Sequence, residues 1–469
     1  MQKLAPDFRS ALDAAFDRAI SHLEHLDESS VAATVDVATL RARINKPLAQ
    51  AGVPPPQVIE DLVRDVDGGL LGSAGGRFYG WVIGGALPAA VAADWLTSAW
   101  QQNAALYACS PAAAVVEETI GGWLKEILGL PQQASFAVVT GCQMAHVTCL
   151  AAARHALLSK HGWDVESNGL YGAPPIRILS SSERHASFER AVRLLGLGTA
   201  HIKLLPVDDE CRLVPDALEE ELSKQDGPTL VLLQAGDINI GAYDSFEKLI
   251  PIAKRYGAWV HVDGAFGLWA AASPHLRYLV KGIEAADSWA TDGHKWLNVP
   301  FDSGFAFVAD AEAHRASLST RASYLTHASD ARDQMDWNPE WSRRARAFAA
   351  YAALRQLGHE GVADMIERCC RHAAAIVTGI GSLRGAEVLW HPVINQGLVR
   401  FLDERAGSTE EDHDRRTDEV IAAILRTGEA FFGGTTWRGR RAMRVSVCNW
   451  QTSEEDVARV VKAAASVLR

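Results

Sequence analysis

Residues 291–300, TDGHKWLNVP, place Asp292, His294 and Lys295 inside an otherwise apolar run, SWATDGHKWLNVPFDSGFAFV. Stripping water from an ammonium is costly, so a lysine in such a run needs a chemical reason. One reason is covalent. A buried lysine has a depressed pKa and is nucleophilic, and an amine that forms an imine with an aldehyde loses its charge. A second acid, Asp263, ends the run AWVHVD one strand–helix–strand unit earlier. Neighbouring strand ends would bring Asp263 and Lys295 into one cleft.

Strands able to do this are legible in the pattern. Short β-rich runs occur at 136–140, 176–182, 201–207, 229–236, 258–264, 288–294 and 304–310, separated by amphipathic stretches such as DALEEELSKQ. Alternating strands and helices predict a seven-stranded, mostly parallel sheet covered on both faces. Ligands of such sheets sit at the carboxyl ends of the strands. After the first run, Gly141, Cys142 and Gln143 open a helix, which makes an anion cradle. His185 starts a helix after the second. Asn239 lies in the loop after TLVLLQAG, and Asp263 is followed by the small Gly264 and Ala265, leaving room for a flat group. Each feature alone reads equally well as a helix start, a cap or turn chemistry. Together they match pyridoxal phosphate, which needs an anion site, a carboxylate at its ring nitrogen, a flat partner and a lysine.

The rest of the chain frames this unit. Residues 6–26 repeat apolar positions at helical spacing; His22 and His25 sit three apart there and read as a polar face, with no third metal ligand nearby. A proline-broken connection covers 45–61, and the glycine-dense stretch 67–88 reads as loop. No G-x-G-x-x-G or P-loop pattern occurs. After about residue 340 come a long helical pattern, strands near 386–392 and 397–403, an exposed loop at 406–415, a helix at about 416–430, a strand at 442–450 and a last helix. The division expected is 1–88, an N-terminal helical segment; 89–345, the large domain; and 346–469, a small C-terminal α+β domain.

Composition excludes other classes. The chain has 469 residues, a net charge of −11 and no Lys/Arg block, which argues against nucleic acid as a partner. No window of about 18 apolar residues predicts a membrane span. Residues 1–26 carry acids and lack the apolar core of a signal peptide. Seven cysteines without a C-x-x-C argue against a zinc ribbon or disulfide framework and suit a reducing cytoplasm.

Four segments carry a resemblance. DGHKWLNVPFDSG, SSERHASFERA, HVDGAFG and RVSVCNWQTSEEDV resemble the lysine, histidine, aspartate and C-terminal-strand segments of the group II pyridoxal-phosphate decarboxylases, the family of aromatic-amino-acid, histidine and glutamate decarboxylases. The similarity runs from about residue 30 to the end. It implies a fold type I large domain, decarboxylation of an L-amino acid to its amine, and a homodimer with a shared active site and N-terminal helices wrapped around the partner. It implies that Lys295 binds the cofactor, that His185 stacks over its ring and guides the substrate carboxylate, and that Asp263 pairs with the ring nitrogen above Ala265. Gly141, Cys142 and Gln143 would hold the phosphate with His294, and Asn239 is placed among the cofactor contacts. Cys142 and Gln143 stand where relatives often carry a small hydroxyl or glycine. Asp292 stands where many carry asparagine, so it is expected to point away from the phosphate or to be offset by an arginine.

The segment RASYLTHASDARDQMDW resembles the family's mobile loop, and Tyr324 matches the tyrosine thought to protonate the substrate carbon after carbon dioxide leaves. Relatives with phenylalanine there tend to make aldehydes. Trp81, and Tyr107 with Asn103 and Ala105 from the partner chain, would line the substrate pocket and favour an aromatic or uncharged side chain. Transamination or another reaction of the same cofactor, and a cofactor-free binding protein on this fold, are the alternatives.

Overall fold

The structure is a computed structural model that describes residues 8–224, 226–320 and 331–468; Tyr324 lies outside the described residues. After three helices, Phe8–Glu24, Val37–Ile44 and Pro55–Val66, the chain forms a two-residue strand, β1 (Phe78–Tyr79). The seven apolar runs then become β2 (Ser135–Val139), β3 (Arg177–Ser181), β4 (Ile202–Leu205), β5 (Thr229–Gln234), β6 (Trp259–Asp263), β7 (Ser288–Asp292) and β8 (Gly304–Val308). They make one sheet in the order β2-β8-β7-β6-β5-β3-β4. Only β8 runs antiparallel to its neighbours. Every residue of β2, β5, β6, β7 and β8 is buried, as a sheet covered on both faces requires.

One cover is the helix Cys142–Ser159, which is apolar around most of its circumference and buries residues on all sides. It packs with Phe188, Ala191 and Val192 of the helix Ala186–Leu194. The opposite face holds the larger core, with Trp269, Trp289 and Trp296 fully buried.

Register sets the functional rim. Val139 of β2 and Asp292 of β7 both pair with Gly304 of β8, while Asp263 of β6 pairs with Ala290 of β7. Because β8 is reversed, the carboxyl ends of β2, β6 and β7 share one edge. Gly304 is required there: a Cβ would stand 2.4 Å from the Gly141 Cα.

The C-terminal part adds β9 (Ala386–Trp390), β10 (Gln396–Phe401), β11 (Phe431–Trp437) and β12 (Arg440–Ser446). Two expectations are corrected here. The glycine-dense stretch 67–88 is not all loop, since β1 within it pairs parallel to β11 and completes the sheet β1-β11-β12-β10-β9. Residues 406–415 are not all exposed loop either. A helix spans Glu410–Arg426, started by a capping box in which Thr409 and Asp412 satisfy each other's backbone N–H groups.

Residues 103–107 are stitched to the segment after residue 330. Tyr107 N–H donates to Asp333 at 3.0 Å, Met335 N–H to the Ala105 carbonyl at 2.9 Å, and Arg343 N–H to Asn103 Oδ1 at 3.2 Å. A fully buried ion pair, Arg343 with Glu117 at 2.7 Å, anchors this junction.

Candidate active site

The turn after β7 carries the lysine. Its shape is held by Asn298, which is fully buried and adopts a left-handed φ of 56°, a conformation asparagine tolerates well. Asn298 Oδ1 accepts from the N–H groups of Gly85 at 2.7 Å and Trp450 at 3.1 Å, and Nδ2 donates to the carbonyls of Trp296 and Cys448, both at 2.9 Å. One side chain thus ties the lysine turn to the glycine segment and to the C-terminal strand. Gly84 lies so close that a Cβ would overlap the Lys295 carbonyl oxygen.

Lys295 is half-buried, its side chain retaining 19% exposure, with Nζ 3.2 Å from Asp292 Oδ2. Its pKa departs from the sequence expectation. Desolvation lowers it, but the Asp292 carboxylate, then Cys142 and Asp263, outweigh burial, and the net shift is upward. Lys295 is tolerated because acids surround it, and it stands as an ammonium.

Asp292 also departs from expectation. It neither points away nor meets an arginine: Oδ1 accepts the N–H of Cys142 at the start of the helix Cys142–Ser159, and His294 Nε2 lies 3.5 Å from it. His294 Nδ1 accepts from Ser303 N–H at 3.1 Å, so Nε2 carries the proton. Burial pushes the His294 pKa down and keeps the ring neutral. Gly141 sits beside both, and a Cβ there would meet His294 Cε1 at 2.9 Å.

Asp263 ends β6. Its Oδ1 accepts from Ala265 N–H at 3.1 Å, and Oδ2 faces His146 Nε2 at 3.5 Å. Burial alone would raise its pKa, but His146, His185 and Lys295 together hold it well below the ordinary carboxylate range. His185 caps the helix Ala186–Leu194: its Nδ1 accepts from Ser187 N–H at 3.2 Å, leaving Nε2–H as an outward donor. Desolvation lowers the His185 pKa, while the charges of Asp263, Lys295 and Arg444 act on it, so these groups share one site.

Of the residues expected from the sequence, Lys295, Asp263, His185, Ala265, Gly141, Cys142 and His294 come together, and Gln143 follows Cys142 in the first turn of the helix. Trp81, Tyr107 and Asn239 share no hydrogen bond or ring contact with that group among the described residues. Trp81 is 53% exposed and packs against Phe431 with centroids 5.1 Å apart. Tyr107 is half-buried in the stitched segment. Asn239 Oδ1 accepts from Thr435 of β11 at 2.8 Å, and Arg444 binds the neighbouring Ile238 carbonyl at 2.9 Å. His146, Asn298 and Arg444 were missed. His146 was visible as a polar residue in the alanine-rich helix, one turn after Cys142, but spacing alone could not show that it meets Asp263.

The donor set fits pyridoxal phosphate. An ammonium stands beside an ionised Asp263, and the first-turn N–H groups of Gln143 and Met144 have no protein acceptor among the described residues, which leaves them for an anion. Cys142, His146 and Asp263 are also compact enough to ligate a cation, with donor atoms within 4.8 Å of one another. Burial, then Asp263 and Asp292, push the Cys142 thiol pKa far up, which opposes the thiolate that a metal needs.

Known proteins share this chain's sequence pattern and fold. The aromatic-L-amino-acid decarboxylase of Bacillus atrophaeus is 25% identical over 98% of this chain and 95% of its own length. Tryptophan decarboxylase 1 of Oryza sativa subsp. japonica is 28% identical over 94% and 90%. The crystal structure of Oryza sativa TDC with PLP and tryptamine shares the fold, with a TM-score of 0.92 at 24% identity, covering 100% of this chain and 99% of that one. The family profile described as the pyridoxal-dependent decarboxylase conserved domain matches residues 39–402, and the chain belongs to that family of amino-acid decarboxylases.

Proposed function

We propose that Lys295, Asp263 and His185 form the working centre of this decarboxylase and that its substrate is an L-amino acid with an aromatic or uncharged side chain. The observation that carries the reading is a lysine and an aspartate at the ends of adjacent paired strands, each within electrostatic reach of the other and of His185. Bound pyridoxal phosphate supplies an electron sink for cleavage at the substrate α-carbon. Lys295 would hold it covalently, Asp263 would face its ring nitrogen above Ala265, and the first turn from Gly141 through Gln143, with His294 Nε2–H, would hold its phosphate.

The chain's own groups then act on the substrate. The His185 Nε2–H would be a donor for the α-carboxylate, and the buried Arg444, whose charge reaches His185, would add positive potential there. Tyr324, outside the described residues, is assigned by resemblance to return a proton to the α-carbon. Trp81, and Tyr107 supplied by the partner chain of a homodimer, are offered as substrate side-chain contacts.

The dimer is supported by apolar surface. Phe8 at 73%, Leu12 at 59% and Phe16 at 51% exposure lie along one N-terminal helix, and such a stripe marks an interaction surface. Among the described residues no helix is long and apolar enough to cross a membrane, and all seven cysteines are free, which suits the cytoplasm. Screening L-amino acids for carbon dioxide release, with product analysis, tests the reading. Release from aromatic amino acids with the amine as product supports it; release confined to acidic amino acids overturns the substrate assignment.

A further inference from the structure

Behind Asp263 lies a row of buried polar groups that the reaction does not use directly. Trp259 Nε1–H donates to Ser288 Oγ at 2.9 Å, Ser288 Oγ lies 2.9 Å from His261 Nδ1, and His261 Nε2 lies 2.8 Å from His146 Nδ1. His146 Nε2 then faces Asp263 Oδ2 at 3.5 Å. Trp259 is 4% exposed, and Ser288, His261 and His146 are fully buried. Phe188 flanks both imidazoles, so no water is needed to complete the row.

The ends of the row fix its protons. An indole nitrogen only donates, and an ionised carboxylate only accepts. Facing Asp263, His146 Nε2 must carry a proton, because a lone pair there would oppose the carboxylate. His146 Nδ1 is then the acceptor for His261 Nε2–H. His261 Nδ1 then accepts from the Ser288 hydroxyl, whose oxygen accepts from Trp259. Along the row each proton has an acceptor, and the dipoles align head to tail, which strengthens each bond. At its end the Cys142 thiol lies 3.6 Å from His146 Nε2 and itself donates to Asp263 Oδ1 at 3.8 Å.

We propose that His146 is a positioning residue, the last link of a one-directional relay Trp259–Ser288–His261–His146 that keeps Asp263 ionised and oriented toward the cofactor ring nitrogen. The relay rests on the pairing of Asp263 with that nitrogen. Its elements are rigid: Trp259 and His261 lie on β6, Ser288 begins β7, and His146 is in the first turns of the long helix. The register pairs His261 with Ser288 directly. The relay therefore couples the placement of Asp263 to the pairing of the two strands that carry the acid and the lysine.

The test is nitrogen NMR of the holoenzyme loaded with ring-labelled pyridoxal phosphate, alongside labelled histidine. In the unaltered enzyme, His146 and His261 are expected as neutral Nε2–H tautomers, and the ring nitrogen as protonated. His146→Leu is expected to shift the ring-nitrogen signal toward unprotonated pyridine and to speed cofactor release about tenfold, the scale of one lost charge-assisted bond. His146→Gln, whose amide can donate to Asp263, is expected to restore most of both. Ser288→Ala, three links away, shifts the signal the same way by less. A proton on His146 Nδ1 in the unaltered enzyme overturns the relay. So does an unmoved ring signal in His146→Leu when Asp263→Asn moves it. If Asp263→Asn also leaves the signal unmoved, the pairing of Asp263 with the ring falls, and the relay's role falls with it.

Discussion

Asp292 Oδ2 lies 3.2 Å from Lys295 Nζ, and the other oxygen of the same carboxylate accepts the first N–H of the helix that opens the anion cradle. A negative side chain thus occupies a place suited to a phosphate and also holds the lysine protonated. Both effects oppose cofactor capture. Asp292→Asn keeps an oxygen for the Cys142 N–H and removes the charge. The variant is expected to bind pyridoxal phosphate roughly tenfold more tightly in an absorbance titration of apoenzyme. Weaker binding would show that the ion pair with Lys295 outweighs the repulsion.

The Asn298 side chain makes four hydrogen bonds to backbone groups, joining three segments distant in sequence, and a fifth to Met365 Sδ at 3.4 Å. Asn298→Ala leaves buried N–H and C=O groups unpaired and places a less tolerant residue at positive φ. A loss of about 3 kcal/mol or more is expected, read as a lower denaturant midpoint together with weaker cofactor retention. A variant as stable as the parent would remove Asn298 as the organiser of the lysine turn.

His314 is buried between Ser135 Oγ, 2.8 Å from Nδ1, and the Trp337 carbonyl, 3.0 Å from Nε2. Burial, then the Arg332 charge, push its pKa down from 6.5 to about 3. The folded state therefore binds fewer protons than the unfolded chain between these values. The stabilisation is whole above about pH 6.5 and is lost as pH falls toward the folded value. Between about pH 6.5 and 5 the parent is expected to lose roughly 2 kcal/mol relative to His314→Gln, measured by denaturant titration at each pH. Parallel losses in the two proteins would contradict the assignment.

Tyr324→Phe separates the two outcomes of carbon dioxide loss. In air the variant is expected to divert product from amine toward aldehyde and ammonia, with dioxygen as the two-electron oxidant reduced to hydrogen peroxide, seen by chromatography of the reaction mixture. An unchanged amine yield would remove Tyr324 from proton return.

Much of this architecture is readable in the chain because a doubly covered sheet demands continuous apolar runs, and all seven were visible. Asp263 and Lys295 were also legible, since strand-end position follows from element order. What spacing does not carry is electrostatics and long-range contact. The raised pKa of Lys295 depends on where Asp292 turns, and the turning of Asp292 depends on the register of β7 with β8. The strand β1 was hidden by its glycines, because its pairing partner, β11, lies some 350 residues onward. The helix at Glu410 was hidden by its charges: its start is an acidic capping box rather than an apolar stripe.

The most direct test of the account is borohydride reduction of the holoenzyme followed by peptide mass mapping. The reduced cofactor is expected on the peptide containing Lys295, and Lys295→Ala protein is expected to carry none. Cofactor fixed at another lysine, with Lys295 unmodified, would contradict it.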